Sequence, residues 1–212
     1  MDAEFWHARW RENQIAFHER EGNARLAEHL EALALTEGSR IFLPLCGKTR
    51  DIAWLLARGH RVVGAELSGL AIAQLFDELG TAPEIAPAGE LEHHAAPGLD
   101  IFVGDVFALT AEQLGPVDAV FDRAALVALP EAMRGRYAAH LAAITADASQ
   151  LLVCFEYDQA MMAGPPFAVD GAEIARVHGR TYAPSLLSRT RIEGGLKGHE
   201  PVDETAWLLR PL

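Results

Sequence analysis

A chain of 212 residues, half of them hydrophobic, is long enough to bury a substantial core and fits a single α/β domain. Its net charge of −12 and pI near 5.1 would repel a polyanionic backbone, which argues against nucleic acid as a partner. Cys46 and Cys154 lie far apart in apolar runs and read as reduced thiols; no stretch reaches the length of a membrane span, and the N-terminal MDAEFWHARW has no basic and then apolar leader, so a soluble, cytoplasmic chain is expected.

The first 35 residues read as two helices broken near Gly22-Asn23. Trp6 and Trp10 lie four apart in the first, and Leu26, Leu30 and Leu33 share one face of the second. Beyond them the texture changes to short apolar runs alternating with helical stretches. RIFLPL (40–45), RVVGAEL (61–67), DIFVGDV (100–106), VDAVFDR (117–123) and QLLVCFEY (150–157) are predicted strands, bounded by Gly, Pro or charge. Residues 51–58, 69–79, 110–114 and 131–146 have helical spacing or composition. Such alternation predicts a mostly parallel sheet with helices on both faces. The Gly-Pro-Pro of MMAGPPFAVDG (161–171) predicts a turn, followed by a short helix near 171–178 and two strand-like stretches, about 180–191 and 204–210, suited to an antiparallel pair at one sheet edge.

In a doubly wound sheet, ligands bind beyond the carboxyl ends of the strands, so the residues following each strand are the candidates. After the first strand, Gly47 permits a tight turn and close backbone approach. One glycine instead of the three of a dinucleotide fingerprint disfavours a pyrophosphate. Gly47-Lys48-Thr49 imitates the end of a phosphate-binding loop, but the glycine that loop needs five residues earlier is Phe42. Glu66 ends the second strand, nineteen residues after Gly47, where a carboxylate accepts hydrogen bonds from ribose hydroxyls; this favours an adenosine ligand over a plain strand-end glutamate. Asp105-Val106 after the third strand suits an adenine amino group and ring face, or a helix N-cap. Asp122-Arg123 after the fourth is either a salt bridge or a pair aimed at the ligand face. Trp6, Trp10 and Phe17 are either ordinary packing of a covering helix or a lid whose rings suit a cationic sulfonium.

The histidines, His7, His18 and the His93-His94 pair among them, lack metal-ligand spacing and are expected at solvated loop or helix positions. No metal is expected. Cys46 beside the turn has no partner base at readable spacing, so close packing is favoured over a nucleophilic role.

The segments FWHARWRENQIAFHEREGN, FLPLCGKTRDIAWLLARGHRVVGAELS, VFDRAALVAL and GPPFAV, in that order across most of the chain, resemble the thiopurine S-methyltransferases, particularly their short bacterial members. The resemblance implies a Rossmann-like class I methyltransferase with a seven-stranded, mostly parallel sheet and an antiparallel C-terminal strand, in one domain over 1–212 whose first 35 residues cover the cofactor site. It implies S-adenosyl-L-methionine as cofactor, S-adenosyl-L-homocysteine as product, and a monomer acting on a small thiol, with selenium or tellurium species or other small thiols, or a non-catalytic binding module, as alternatives. On that basis Trp6, Trp10, Leu45, Gly47, Glu66, Asp105, Val106 and Arg123 are expected at the cofactor, Phe17 and Arg123 at the acceptor, and Arg123 in catalysis. Arg189, Arg191 or neither corresponds to a second acceptor-facing arginine.

Overall fold

The computed structural model describes residues 3–19 and 21–212; residues 1, 2 and 20 of the expected N-terminal cover lie outside them. Nine strands form one sheet: β1 (Arg40–Pro44), β2 (Arg61–Glu66), β3 (Glu84–Ala88), β4 (Leu91–Ala96), β5 (Leu99–Val103), β6 (Ala119–Arg123), β7 (Ser149–Glu156), β8 (Tyr182–Arg191) and β9 (Asp203–Pro211). Their order is β3-β4-β5-β2-β1-β6-β7-β9-β8. The five central strands, β5 to β7, run parallel, and antiparallel pairs flank them on both sides.

The expectation of seven strands is therefore corrected to nine. The β3–β4 hairpin escapes the strand pattern because EIAPA is largely exposed and carries a proline, which an edge strand tolerates. The expected edge pair at the other end is present as β8 and β9. His93 and His94, expected in solvent-facing loops or helices, lie on β4. His93 stacks on Phe102 with centroids 4.8 Å apart and bonds Asp100 at 2.8 Å, while His94 is buried against Phe76.

Seven α-helices lie among the described residues: α1 (Ala3–Arg11), α2 (Ala24–His29), α3 (Arg50–Leu56), α4 (Gly69–Leu79), α5 (Ala111–Leu114), α6 (Glu131–Thr145) and α7 (Gly171–His178). Side-chain caps mark the starts of α2, α3, α4, α5 and α7. Asn23 accepts from the Arg25 N–H, Ser68 from Ala71 and Asp170 from Glu173, while Gly80 ends α4 in the left-handed conformation. Alternation along the central strands divides the core. Phe42, Val63, Val120 and Leu152 pack with Tyr137 and Leu141 of α6 and Ile174 of α7. Ile41, Leu43, Val62, Phe121 and Leu151 pack on the other face with Leu26, Ile52, Leu55, Ile72 and Phe76 from α2, α3 and α4. Burial on both faces explains why the central strands read as unbroken apolar runs.

Candidate functional site

The chain passes from β1 leftward to β2 and later returns to β6 on the other side of β1, so the strand order reverses at β1. A crevice at such a reversal is where open α/β sheets bind ligands. A cavity of about 490 Å³ lies there, lined by Leu43 to Thr49 from the end of β1 and the turn after it, Glu66 and Leu67 at the end of β2, and Phe121, Arg123 and Ala124 at the end of β6. The N-terminal segment crosses its mouth.

The turn after β1 has an unusual backbone. Leu45 at φ +48° and Gly47 at φ +53° place two left-handed residues within three positions, and for leucine that conformation costs roughly 1–2 kcal/mol. Glycine is required at 47 for a second reason. A Cβ there would stand 2.9 Å from the Trp10 ring, so the close approach anticipated from the sequence is made first by an indole. Ala124, directly after Arg123, is also left-handed, at φ +60°. Backbone strain of this kind concentrates at functional sites.

Glu66 is 6 % exposed and joins the two turns: its Oε2 accepts from the Gly47 N–H and its Oε1 from the Ser68 N–H, both at 2.8 Å. Burial pushes its carboxyl above the usual range, opposed by the backbone N–H groups of Ser68, Gly47 and Leu67. The carboxylate keeps acceptor capacity beyond these backbone bonds, the property needed to hold a cis-diol. Cys46 is buried, packs where a Cβ of Gly64 would otherwise sit, and has its thiol held well above the usual range by desolvation and then by Glu66. Those surroundings suit packing, not nucleophilic attack.

The Gly-Lys-Thr sequence has structural work of its own. Lys48 pairs with Glu78 at 2.8 Å, and the Thr49 hydroxyl donates to Asp51 at 2.7 Å at the start of α3. Asp51 in turn accepts from the Asn23 N–H at 2.7 Å, tying the N-terminal segment to the turn.

Trp6, Trp10 and Phe17 meet over the cavity. Phe17 makes edge contacts with both indoles, at centroid distances of 5.8 Å to Trp6 and 5.6 Å to Trp10. Trp10 is 4 % exposed, packed between α1 and the Gly47 turn. Pro165 and Pro166 of the Gly-Pro-Pro turn, with Ile192 and Leu196 from the β8–β9 connection, close the far side.

Asp122 and Arg123 do not pair with each other, because successive strand residues face opposite sides. Asp122 is fully buried, accepting from the Tyr137 hydroxyl at 2.8 Å and the Leu126 N–H at 3.0 Å, and desolvation raises its carboxyl to about 6. Arg123 turns into the cavity. Its Nη1 donates to the Phe17 carbonyl at 2.7 Å, and its Nη2 meets Glu19 at 2.7 Å. Sequence reasoning did not single out Glu19; its partner lies more than a hundred residues away, with no local pattern to announce it.

Asp105 and Val106 are not among the residues lining the cavity. The Asp105 carboxylate caps the short 3-10 turn that follows it by accepting from Phe107, and Val106 is buried in the core. Arg189 pairs with Glu156 and Arg191 with Asp203, and neither lines the cavity. Arg9 and Lys197, which do line it, have no carboxylate partner among the described residues. Also among the described residues, no group of three His, Cys, Asp or Glu side chains is placed to hold a metal ion, and no helix is long and apolar enough to cross a membrane.

The chain is 56% identical over 210 residues to a thiopurine S-methyltransferase of Xanthobacter autotrophicus, covering 99% of both chains. It is 44% identical over 211 residues to one of Gluconobacter oxydans, covering 100% of this chain and 96% of the other. Among solved structures, the 1,6-didemethyltoxoflavin-N1-methyltransferase of Burkholderia thailandensis superposes with a TM-score of 0.66 at 16% identity, covering 98% of this chain and 87% of that one. A TehB-like S-adenosylmethionine-dependent methyltransferase of Corynebacterium glutamicum gives 0.58 at 17%, covering 99% and 98%. These two show the fold, that of the class I methyltransferases. The thiopurine S-methyltransferase (TPMT) family profile matches residues 1–206, and the chain belongs to that family.

Proposed function

We propose that this chain is a single-domain, monomeric methyltransferase that uses S-adenosyl-L-methionine to methylate the sulfur of thiopurines or related aromatic and heterocyclic thiols, releasing S-adenosyl-L-homocysteine. The observation that carries this reading is one cavity bringing together a buried carboxylate, three aromatic rings and a guanidinium at the strand-order reversal. The residues present fit the cofactor at two of its ends. Glu66 would hold the ribose hydroxyls, and the rings of Trp6, Trp10 and Phe17 would face the sulfonium, an arrangement worth about 0.5–2 kcal/mol. Leu45 and Gly47 would border the amino-acid tail. Asp105 and Val106 stay as proposed adenine contacts only if their loop approaches the bound ring. The bound cofactor supplies an electrophilic methyl group.

The chain supplies orientation. An aromatic thiol of this kind ionises near neutral pH, so no strong base is needed, and holding the reacting atoms in line contributes roughly 7–11 kcal/mol. Phe17 and the proline wall would grip the acceptor ring. Arg123 has five N–H donors and uses two in its bonds to Phe17 and Glu19, leaving three for the acceptor sulfur or purine nitrogens. A labelled-methyl assay run side by side on 6-mercaptopurine, thiophenol, selenite and tellurite tests the reading. The thiols are expected to accept methyl best, and Arg123→Ala to lower kcat/KM for them about 10- to 100-fold through loss of charge-assisted hydrogen bonds. Transfer to none of the thiols, or an unchanged Arg123→Ala with intact folding, overturns it.

A further inference from the structure

Glu19 is more firmly held than a surface carboxylate would be. It meets Arg123 at 2.7 Å, and both of its oxygens accept from the Asn23 side-chain amide, at 3.2 and 3.1 Å. Asn23 is itself 5 % exposed, fixed through its backbone to Asp51 while its side-chain oxygen caps α2. Burial raises the Glu19 carboxyl and Arg123 and Asn23 lower it again, which is the mark of a desolvated group kept in place by its partners. Among the cations lining the cavity, Arg9 and Lys197 have no carboxylate partner within the described residues, whereas Arg123, the one beside Phe17, is neutralised.

Resting on the acceptor site proposed above, we infer that Glu19 is a specificity-determining residue. Its carboxylate occupies one anion-accepting side of Arg123, so the site selects aromatic thiols whose only charge is on the reacting sulfur and rejects acceptors with a second anionic group next to it. An acceptor without that second group can use the remaining N–H donors of Arg123 without disturbing the pair. An ortho-carboxylate must either displace Glu19 from a clamp of two partners or lie beside its negative charge in a partly dehydrated cavity, where like charges repel more strongly than in water.

The test is the calorimetric affinity of the S-adenosylhomocysteine-loaded protein for thiophenol and for 2-mercaptobenzoate. Glu19→Gln is expected to shift the affinity ratio toward 2-mercaptobenzoate at least tenfold, and in an Arg123→Gln background the same substitution is expected to shift it less than threefold. The second comparison separates release of Arg123 from mere removal of a negative charge. Asn23→Ser keeps a helix cap but removes the amide clamp, and should move the ratio a few-fold in the same direction even if Glu19→Gln folds poorly. A ratio unchanged in both Glu19→Gln and Asn23→Ser, or an equal shift with and without Arg123, overturns the inference. Methyl transfer from the wild type to thiophenol reports separately on the reaction, so the selectivity can fail with the activity intact. No binding of either thiol by the wild type overturns the acceptor site and the inference with it.

Discussion

The two sides of the cavity are built differently. The turn after β1 and the end of β2 form a floor whose side chains are buried in both core layers, and Glu66 locks their backbones together with two 2.8 Å bonds. The N-terminal roof rests on edge contacts among three rings and on a few polar ties, Arg123 to Phe17 and Glu19, and Asn23 to Asp51 and Glu19. On the proposed assignment, substitutions in the floor are therefore expected to alter stability and cofactor affinity together, and substitutions in the roof to alter acceptor choice with the fold intact. Local stability follows buried contact, and segments that must admit ligands come from its lower end.

The sharpest way to break this contrast is where the Trp10 ring of the roof meets the Gly47 turn of the floor. Gly47→Val forces a β-branched residue into a left-handed turn and drives its Cβ into Trp10, so S-adenosylmethionine affinity should fall more than 100-fold in calorimetry. Affinity within threefold of wild type would show that the turn can rearrange freely. Next in size, Glu66→Ala removes the proposed ribose acceptor and orphans two backbone N–H groups. Cofactor binding should weaken by about 1.5–3 kcal/mol, accompanied by a lower melting temperature. An unchanged Kd would remove Glu66 from the cofactor site and leave it a structural tie.

Asp122 probes the floor from beneath. Its folded-state carboxyl titrates at about 6 against 3.8 for the free group, so the folded chain holds a proton there that the unfolded chain releases. Its contribution to stability therefore declines as pH rises from 3.8 to about 6, by at most roughly 3 kcal/mol, and stays low above that window. Asp122→Asn should remove this decline, seen as a widening difference in urea midpoint between mutant and wild type from pH 4.5 to 7. Parallel midpoints would exclude it. The smallest effect belongs to the roof: Asn23→Ala loses a helix cap and the Glu19 clamp, which should lower stability by about 1 kcal/mol and hasten proteolysis within residues 12–23. Cleavage at the wild-type rate would mean that the rings alone hold the roof down.

How much of this was legible from the sequence follows the same division. β1, β2 and α4 announced themselves because central strands are apolar on both faces and α4 is framed by Ser68 and Gly80. The β3–β4 hairpin stayed hidden because its outer strand is exposed and broken by Pro87, so neither alternation nor an apolar run marks it. Glu66, Gly47 and Arg123 could be singled out since each lies at or just past the carboxyl end of a strand, and the structure brings all three to one cavity. Asp105 and Val106 satisfied the same rule, yet the strand they follow lies beyond β2, and they do not line the cavity. Glu19 was invisible: its meaning comes from Arg123, and only the tertiary fold joins them.

The contact between Trp10 and Gly47 also gives the molecule a built-in optical gauge. The indole is now 4 % exposed and pressed on the floor, so any lifting of the roof carries it from an apolar contact into water. Trp54 and Trp207 lie outside the cavity lining and would provide a steady background, leaving Trp6 and Trp10 as the emitters that follow the roof. With Trp6 replaced by phenylalanine, the emission wavelength of the unlabelled protein would report whether Trp10 stays on the Gly47 turn when cofactor and acceptor are added.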